Sequence, residues 1–224
     1  MNILGIDASN NGLLISLKSN NDIYYMENKE KNSGNYIISM IDSLLKKNNL
    51  NLENIDLFGC TIGPGSFTGI RISIASIQGL LFNTNKKVVP IISTELIYNN
   101  YNGDKNKKIA ILKKARVDAA YVHIFENGKT IFEPNLISIN NLKNIIQDSI
   151  LLGEESLFFK EKLKLNNETI QYVLSPNSII EYIENNYYKA VSPKDLKVLY
   201  LQKPLAVENF EKKNNTKIDE NTYN

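Results

Sequence analysis

The chain has one cysteine, Cys60, one histidine, His123, no tryptophan, and only two arginines, Arg71 and Arg116, among 224 residues. A lone cysteine excludes an intramolecular disulfide and a thiolate zinc site, and a lone histidine excludes any metal motif that needs a pair of imidazoles. Nearly all of the 26 basic residues are therefore lysines, and 24 acidic residues bring the net charge to +2. The concentrated arginine forks of a built-in nucleic-acid clamp are missing. No stretch approaches the ~18 consecutive apolar residues of a membrane-spanning helix, and residues 1–7 carry no basic leader and too short an apolar run for an export signal. These absences point to a non-secreted protein in a reducing, cytoplasmic setting. What is present is an ordinary globular balance, 42% hydrophobic and 22% charged, enough for the packed core of one large domain or two small ones.

Residues 3–6 read as a wholly apolar strand ending at Asp7, and Asn10-Asn11-Gly12 supplies turn chemistry before strands at 13–17 and 23–26. Ile37, Ile38, Met40, Ile41, Leu44 and Leu45 recur at helical spacing, with Lys46 and Lys47 where cations suit the helix dipole, so the spacing predicts an amphipathic helix over 35–47. A buried strand at 57–62, the segment Gly63-Pro64-Gly65-Ser66-Phe67-Thr68-Gly69, a helix over 68–81 and a strand at 88–92 complete the order β-β-β-α-β-α-β. The second half repeats it more faintly, with strands at 109–112, 121–125 and 131–136, an Asn127-Gly128 turn, a helical segment through Leu142, Ile145 and Ile146, and a strand at 150–152. The layout is α/β with two lobes, 1–104 and 105–207, the second truncated and degenerate. A tail at 208–224 is too poor in apolar residues to offset its ordering entropy and reads as mobile. This duplication resembles the actin-like ATPase fold, two ribonuclease-H-like lobes facing each other over a nucleotide cleft, and by itself it says nothing about activity.

Asp7 stands at the carboxyl end of the first strand, where α/β sheets place ligands, and with Ser9 it could orient a hydrated cation or a phosphate. A polar residue there could equally cap a turn. Gly63, Gly65, Ser66 and Thr68 form either an anion-binding helix start or a tight strand-to-helix joint capped by Ser66 or Thr68. It is no P-loop, because no Gly-Lys-Ser/Thr follows. In the next helix Gly69, Ser73 and Ser76, with Ala75 and Gly79, are small residues at three- and four-residue spacing, while Ile70, Ile72, Ile74, Ile77 and Leu80 leave few charges along it. That helix is covered on more than one side, by the rest of the chain or by a second subunit. His123 reads as a half-buried structural residue and Cys60 as a small core residue. Glu95, Asp118 and Glu126 are scattered carboxylates that form no acid–base pair.

In order and spacing, Ile3-Leu4-Gly5-Ile6-Asp7-Ala8-Ser9, the block from Gly63 to Arg71, Gln78-Gly79-Leu80 and Pro90-Ile91-Ile92-Ser93-Thr94 resemble the TsaB (YeaZ) family. The resemblance covers the first hundred residues and continues in patches at Ala115-Arg116, Tyr121 and Leu199-Tyr200-Leu201. It implies a truncated actin-like subunit without catalysis of its own. Such a subunit acts with a TsaD-type catalytic paralogue and a TsaE-type ATPase in transferring a threonylcarbamoyl group to the adenosine beside the anticodon of tRNA. It further implies that ATP and metal sit on the partner subunits and none is bound directly, that tRNA is met only through the complex, that the isolated chain forms a homodimer, and that no membrane is involved. The family's contact helices correspond to 35–47 and 68–81, which makes Ile37, Met40, Ile41, Leu44, Gly69, Ile70, Ser73, Ser76, Ile77 and Leu80 the expected interface.

The catalytic paralogue carries a His-x-x-x-His pair where this chain reads Thr94-Glu95-Leu96-Ile97-Tyr98. Three departures from the family pattern stand out: Ala8 for a usual threonine, Asn32 near a usual histidine, and Lys114 where an aspartate usually precedes Ala-Arg. Aligning the lobes sets Lys114-Ala115 on Asp7-Ala8, a cation where a metal–phosphate cleft needs a carboxylate. A different reading, a nucleotide-dependent phosphotransferase or peptidase-like enzyme, rests on Asp7 and the glycine–proline loop alone.

Overall fold

The computed structural model describes residues 1–10, 12–30, 33–201 and 205–218. β1 (Ile3–Asp7), β2 (Leu13–Ser19) and β3 (Asp22–Asn28) form an antiparallel meander. α1 (Ile37–Lys47) then leads to β4 (Leu57–Gly63), parallel to β1, and α2 (Phe67–Leu80) to β5 (Val88–Ile92), parallel to β4. After α3 (Ser93–Asn99) the chain repeats the plan with β6 (Ile109–Arg116), β7 (Ala119–Glu126), β8 (Lys129–Ser138), α4 (Ile139–Ile145), β9 (Ile150–Leu152), α5 (Ser156–Leu163) and β10 (Thr169–Ile170). The sheets run β3-β2-β1-β4-β5 and β10-β9-β6-β7-β8, the same order twice. This is the two-lobed actin-like fold. The second lobe is the abbreviated copy, with 3 residues in β9 against 7 in β4 and 8 in α5 against 14 in α2.

Local chemistry sets the turns. Asn20 and Asn21, then Asn127 and Gly128, all take positive φ, which gives two-residue hairpin turns whose twist matches the strands they join. β1, central in its sheet, is buried along its whole length. α1 begins at Ile37, two residues later than the apolar spacing predicts, because a single turn of 3-10 helix occupies Ser33–Tyr36.

Two layers cover the first sheet. On one face α1 and α2 pack Ile41, Leu44, Ile70 and Ile77 against Leu4, Ile6, Ile15 and Phe58. On the other lies a helix absent from the sequence reading, α6 (Pro176–Asn185), with Ile179, Ile180 and Ile183 against Ile3, Leu57 and Ile91. Ser175 caps it by accepting from the Ser178 N–H, and Pro176 sits in its first turn. Gly5 and Gly59 make this approach possible, since a Cβ at either would run into Ile179 or Ile183.

The second lobe, expected to run from 105 to 207, is therefore corrected at its far end: from Pro176 the chain returns to the first lobe. Val191 pairs with Val88, the Leu199 N–H donates to the Ile62 carbonyl at 2.9 Å, and Leu196 joins the first core. The apolar face of α6 needs cover, and the first sheet offers a bare side. The tail reading is corrected as well. α7 (Leu205–Asn214) crosses the expected start of the tail at 208, because Ala, Glu and Lys favour helix, and Asn215 at φ 50 with the Thr216 N–H on the Glu211 carbonyl closes its end. Asn32 and tail residues 219–224 lie outside the described residues. Among the described residues no helix is long and apolar enough to cross a membrane.

Candidate functional site in the cleft between the lobes

The carboxyl ends of β1 and β6 face a cleft of about 600 Å³ lined by Asp7, Ser9, Gly65, Ser66, Lys113 and Glu154, within the usual size range of small-molecule sites. Asp7 is buried at the end of β1, where its Oδ1 accepts the Ser9 N–H at 3.1 Å. Opposite it stands Lys113, 5% exposed, whose Nζ donates to Ser9 Oγ at 2.9 Å. Burial pulls the Lys113 amine below the usual lysine range, while the charges of Asp7, Glu155 and Glu154 oppose that shift. Burial likewise holds the carboxyls of Glu154 and Glu155 above the usual range, with Lys113 working against it. The Glu155 carboxylate also accepts the Lys114 N–H.

Lys113 and Lys114 both line the cleft, and register decides which of them is buried opposite Asp7. β1 begins its parallel pairing at Ile3 opposite Leu57 and β6 begins its own at Ile109 opposite Ile150, so Ile3 matches Ile109 and Asp7 matches Lys113. The sequence alignment of Lys114 on Asp7 is one residue off, and in a strand one residue is the opposite face. Lys114 is exposed, with its Nζ 4.0 Å from the centre of the Phe158 ring. Alternation from Ile109 and Ile111 was the available signal for Lys113. For Glu154 and Glu155 it was Gly153 just after β9, the counterpart of Gly63 that ends β4; the two take φ 124 and 135.

The glycine–proline segment is a packing joint. The Ser66 N–H donates to the Ser9 carbonyl at 2.7 Å, Ser66 Oγ caps α2 by accepting the Gly69 N–H at 3.3 Å, and Ser93 Oγ donates to the Pro64 carbonyl at 2.5 Å. A Cβ at Gly65 would strike the Ser9 carbonyl and one at Gly69 the Ala8 carbonyl, so both glycines let α2 close on the end of β1. Ser66 supplies the cap, and Thr68 is exposed. Of the expected loop candidates, Asp7, Ser9, Gly65 and Ser66 line the cleft, while Gly63 backs onto Leu199. A magnesium nucleotide needs carboxylates around a hydrated cation and backbone amides for its phosphates. Here an ammonium faces Asp7, and two glutamates occupy the second lobe's counterpart of the glycine loop. These residues do not fit a metal-bound nucleotide.

Behind the cleft, side chains of α3 meet those of β7 and β8. Thr94 Oγ1 lies 2.7 Å from Nδ1 of His123, whose Nε2 lies 3.2 Å from Thr130 Oγ1, and the Tyr98 ring stacks on Phe125 with centroids 3.8 Å apart. His123 is completely buried, more than the half-buried strand position suggested, and burial pulls its imidazole down to about 4. Positions 94 and 98, where the catalytic paralogue has its histidine pair, thus fasten α3 of one lobe to β7 of the other. Cys60 is buried beside Ser73 and pushed up to about 12 by desolvation, which makes it a poor nucleophile. Glu95 is half-buried and accepts a hydrogen bond from the Tyr182 hydroxyl at 2.5 Å.

The family model described as TsaD, tRNA N6-adenosine threonylcarbamoyltransferase, matches residues 27–174. The tRNA threonylcarbamoyladenosine biosynthesis protein TsaB of Buchnera aphidicola subsp. Baizongia pistaciae is 34% identical over 121 residues, 51% of this chain and 55% of that protein. The chain thus spans about half the length of that relative. The protein of the same name from Buchnera aphidicola subsp. Schizaphis graminum is 27% identical over 198 residues, 79% of this chain and 94% of its own. The chain belongs to the TsaB (YeaZ) branch of this family. YeaZ from Pseudomonas aeruginosa, 17% identical, superposes with a TM-score of 0.73 over 89% of this chain and 99% of its own, a likeness in fold.

The TsaB-type interface expected from sequence is corrected by burial. Ile37, Met40, Ile41, Leu44, Ile70, Ser73 and Ile77 lie in the chain's own core, and Gly69 and Ser73 are small so that α2 can meet β1 and β4. Only Ser76 and Leu80, with part of Gly69, reach the surface. The cover on α2 is intramolecular: Gly34 sits against Ile72, Gln78 Nε2 donates to the Leu196 carbonyl, and Arg71 donates to Tyr200 Oη at 2.9 and 2.6 Å while stacking on Phe67. An apolar stripe reports that a helix face is buried, and it does not say by what. What these helices present outward is Ile38, Ser39, Asp42, Lys46 and Lys47 on α1 and Phe67, Thr68, Arg71, Ala75 and Gly79 on α2.

Proposed function

We propose that the chain is a non-catalytic subunit of the machinery that makes N6-threonylcarbamoyladenosine in tRNA, working with a TsaD-type catalytic paralogue and a TsaE-type ATPase. The names carried by the matching relatives support the pathway. The observation that carries the non-catalytic reading is Lys113, buried against Ser9 and Asp7 in the position that a nucleotide-bound cation would claim. A lysine there sets its own cation opposite Asp7. We infer that ATP and metal belong to the partner subunits, and that tRNA is met through the assembled complex.

The docking surface on this reading is the outward side of α1 and α2, Ile38, Ala75 and Gly79, in place of the buried stripe. Ser73→Glu would test the core and not the contact. Co-purification of the full chain with the TsaD-type paralogue decides the matter: Ala75→Glu and Ile38→Glu should abolish capture while leaving the circular dichroism melt unchanged. Full capture by both variants would remove the assigned surface, and no capture by the unaltered chain would remove the subunit reading. Micromolar binding and turnover of magnesium ATP by the chain alone, lost in Asp7→Ala, would install the enzyme reading instead.

A further inference from the structure

Three of the chain's 11 glycines directly follow an asparagine, at Asn11-Gly12, Asn102-Gly103 and Asn127-Gly128. Asparagine before glycine is prone to deamidation, because a glycine has no Cβ to keep its backbone nitrogen from reaching the carbonyl carbon of the preceding side chain. The fold decides whether that nitrogen and that side chain are free to meet. Asn11 lies outside the described residues, so the comparison is between the other two pairs.

Asn127 and Gly128 are exposed, yet their turn is held on every side. Glu126 pairs with Lys129 across it, both turn residues sit at positive φ, 52 and 74, and the Gly128 N–H donates to the Lys105 carbonyl at 3.1 Å. The nitrogen that would attack is engaged, and swinging it toward Asn127 Cγ would break the hairpin. Asn102 and Gly103 lie between α3 and β6, in the connection 100–108, outside every helix and strand, and both are exposed. Among the described residues neither the Asn102 side chain nor the Gly103 N–H makes a hydrogen bond. Packing nevertheless requires glycine at 103, since a Cβ there would run into the Tyr101 ring.

We propose that Asn102 is a site of spontaneous covalent modification, converting in the folded protein to aspartate and isoaspartate while Asn127 is spared. The Gly103 nitrogen loses its proton to hydroxide and attacks Asn102 Cγ. A C–N bond forms, the Cγ–Nδ2 bond breaks, and the amide leaves as ammonia. Water then opens the cyclic succinimide at either carbonyl, giving an ordinary chain with aspartate or a backbone routed through the side chain as isoaspartate. The product falls on the first of the chain's two crossings between the lobes. Tyr101 is buried in a core cluster with Ile109 and Phe125, and the Lys105 carbonyl holds Gly128, so residues 102–104 bridge two fixed points. Isoaspartate inserts a further backbone atom into that bridge, and either product adds a carboxylate close to Asp104. The contact this loads is the Gly128–Lys105 hydrogen bond, which ties the crossing to the β7–β8 hairpin.

Peptide mapping by mass spectrometry, after the full chain is kept warm at mildly alkaline pH, should show the amide-to-acid mass gain at Asn102. Two products should separate by chromatography, one of them a substrate for an isoaspartyl methyltransferase. Asn127 should react roughly tenfold more slowly or less, because its turn has to open first. In urea, where no fold protects either pair, the two sites should react at similar rates. Asn102→Gln should remove the modification and leave the melting temperature unchanged. Hydrogen exchange at the Gly128 amide should be faster in the aged native chain than in Asn102→Gln aged alongside it. An Asn102 that stays intact in the folded chain overturns the proposal, as does an Asn127 that reacts as fast there, or a product that is aspartate alone. Equal exchange at Gly128 in the two aged proteins would remove the consequence drawn for the crossing.

Discussion

The two lobes follow one order of strands and helices and part company where their first strands end. Asp7 closes β1 and Lys113 closes β6 at matching positions, each buried, each aimed at the same cleft. The loops behind them diverge in the same sense: glycine and proline after β4, a glutamate pair after β9. Folding needed only the hairpins, the central apolar strands and the helices over them, and those survive in both copies. The polar residues at the strand ends differ, a carboxylate in the first lobe and in the second an ammonium that donates to Ser9 Oγ across the cleft.

The strongest way to break this comparison is to remove the cation. Lys113→Ala leaves Asp7 buried without its counter-charge and should cost on the order of 3–5 kcal/mol in urea denaturation. Lys113→Met combined with Asp7→Asn, which deletes both charges and keeps the volume, should recover most of that loss. Additive losses in the double variant would mean that the two residues do not communicate across the cleft.

Next in size is the junction residue His123, whose counterpart on β2 is the buried Ser16. Its folded value of about 4 lies below the unfolded value of about 6.5. The neutral imidazole therefore contributes stability that is present above pH 6.5 and lost as pH falls through 4, about 3 kcal/mol in all. Glu154 and Glu155, held above the usual carboxylate range, act in the opposite sense and favour the fold as pH falls. Chemical denaturation from pH 7 to 4 should show a shallower decline in His123→Gln than in the unaltered chain, and parallel curves would rule His123 out as the source.

The smallest effect concerns the strap that the first lobe has and the second lacks. Arg71 clasps Tyr200 at the surface, so Arg71→Ala should lower stability by about 1 kcal/mol, through loss of the ring contact and the paired hydrogen bonds. Arg71→Lys should recover little of it, because an ammonium cannot present the planar fork. Equal melting temperatures for all three proteins would show the strap to be held by Leu196 and Leu199 alone.

The residues that spoke clearly in the sequence were those whose structure is settled by near neighbours. Asn127-Gly128 specifies its turn, the apolar run at 88–92 specifies β5 to the residue, and the glycine–proline block specifies a joint. The actin-like plan followed from the order of such elements. Lys113 was missed because a lobe alignment by residue type ignores which face of the strand each side chain takes. α6 was missed although Ser175-Pro176 and the spacing of Ile179, Ile180 and Ile183 mark a helix, since its partner strand lies far away in sequence at Gly5 and Gly59. The interface residues were misassigned for a related reason: Ile41 or Ile77 looks the same whether a sheet or another subunit covers it.

That return of α6 also sets a timetable for synthesis. Translation delivers β1 through β5 first, yet their sheet stays uncovered on one side until Ile179 and Ile183 have left the ribosome, whereas the second lobe, wholly contiguous, can close in the meantime. The half of the protein that is made first is sealed last.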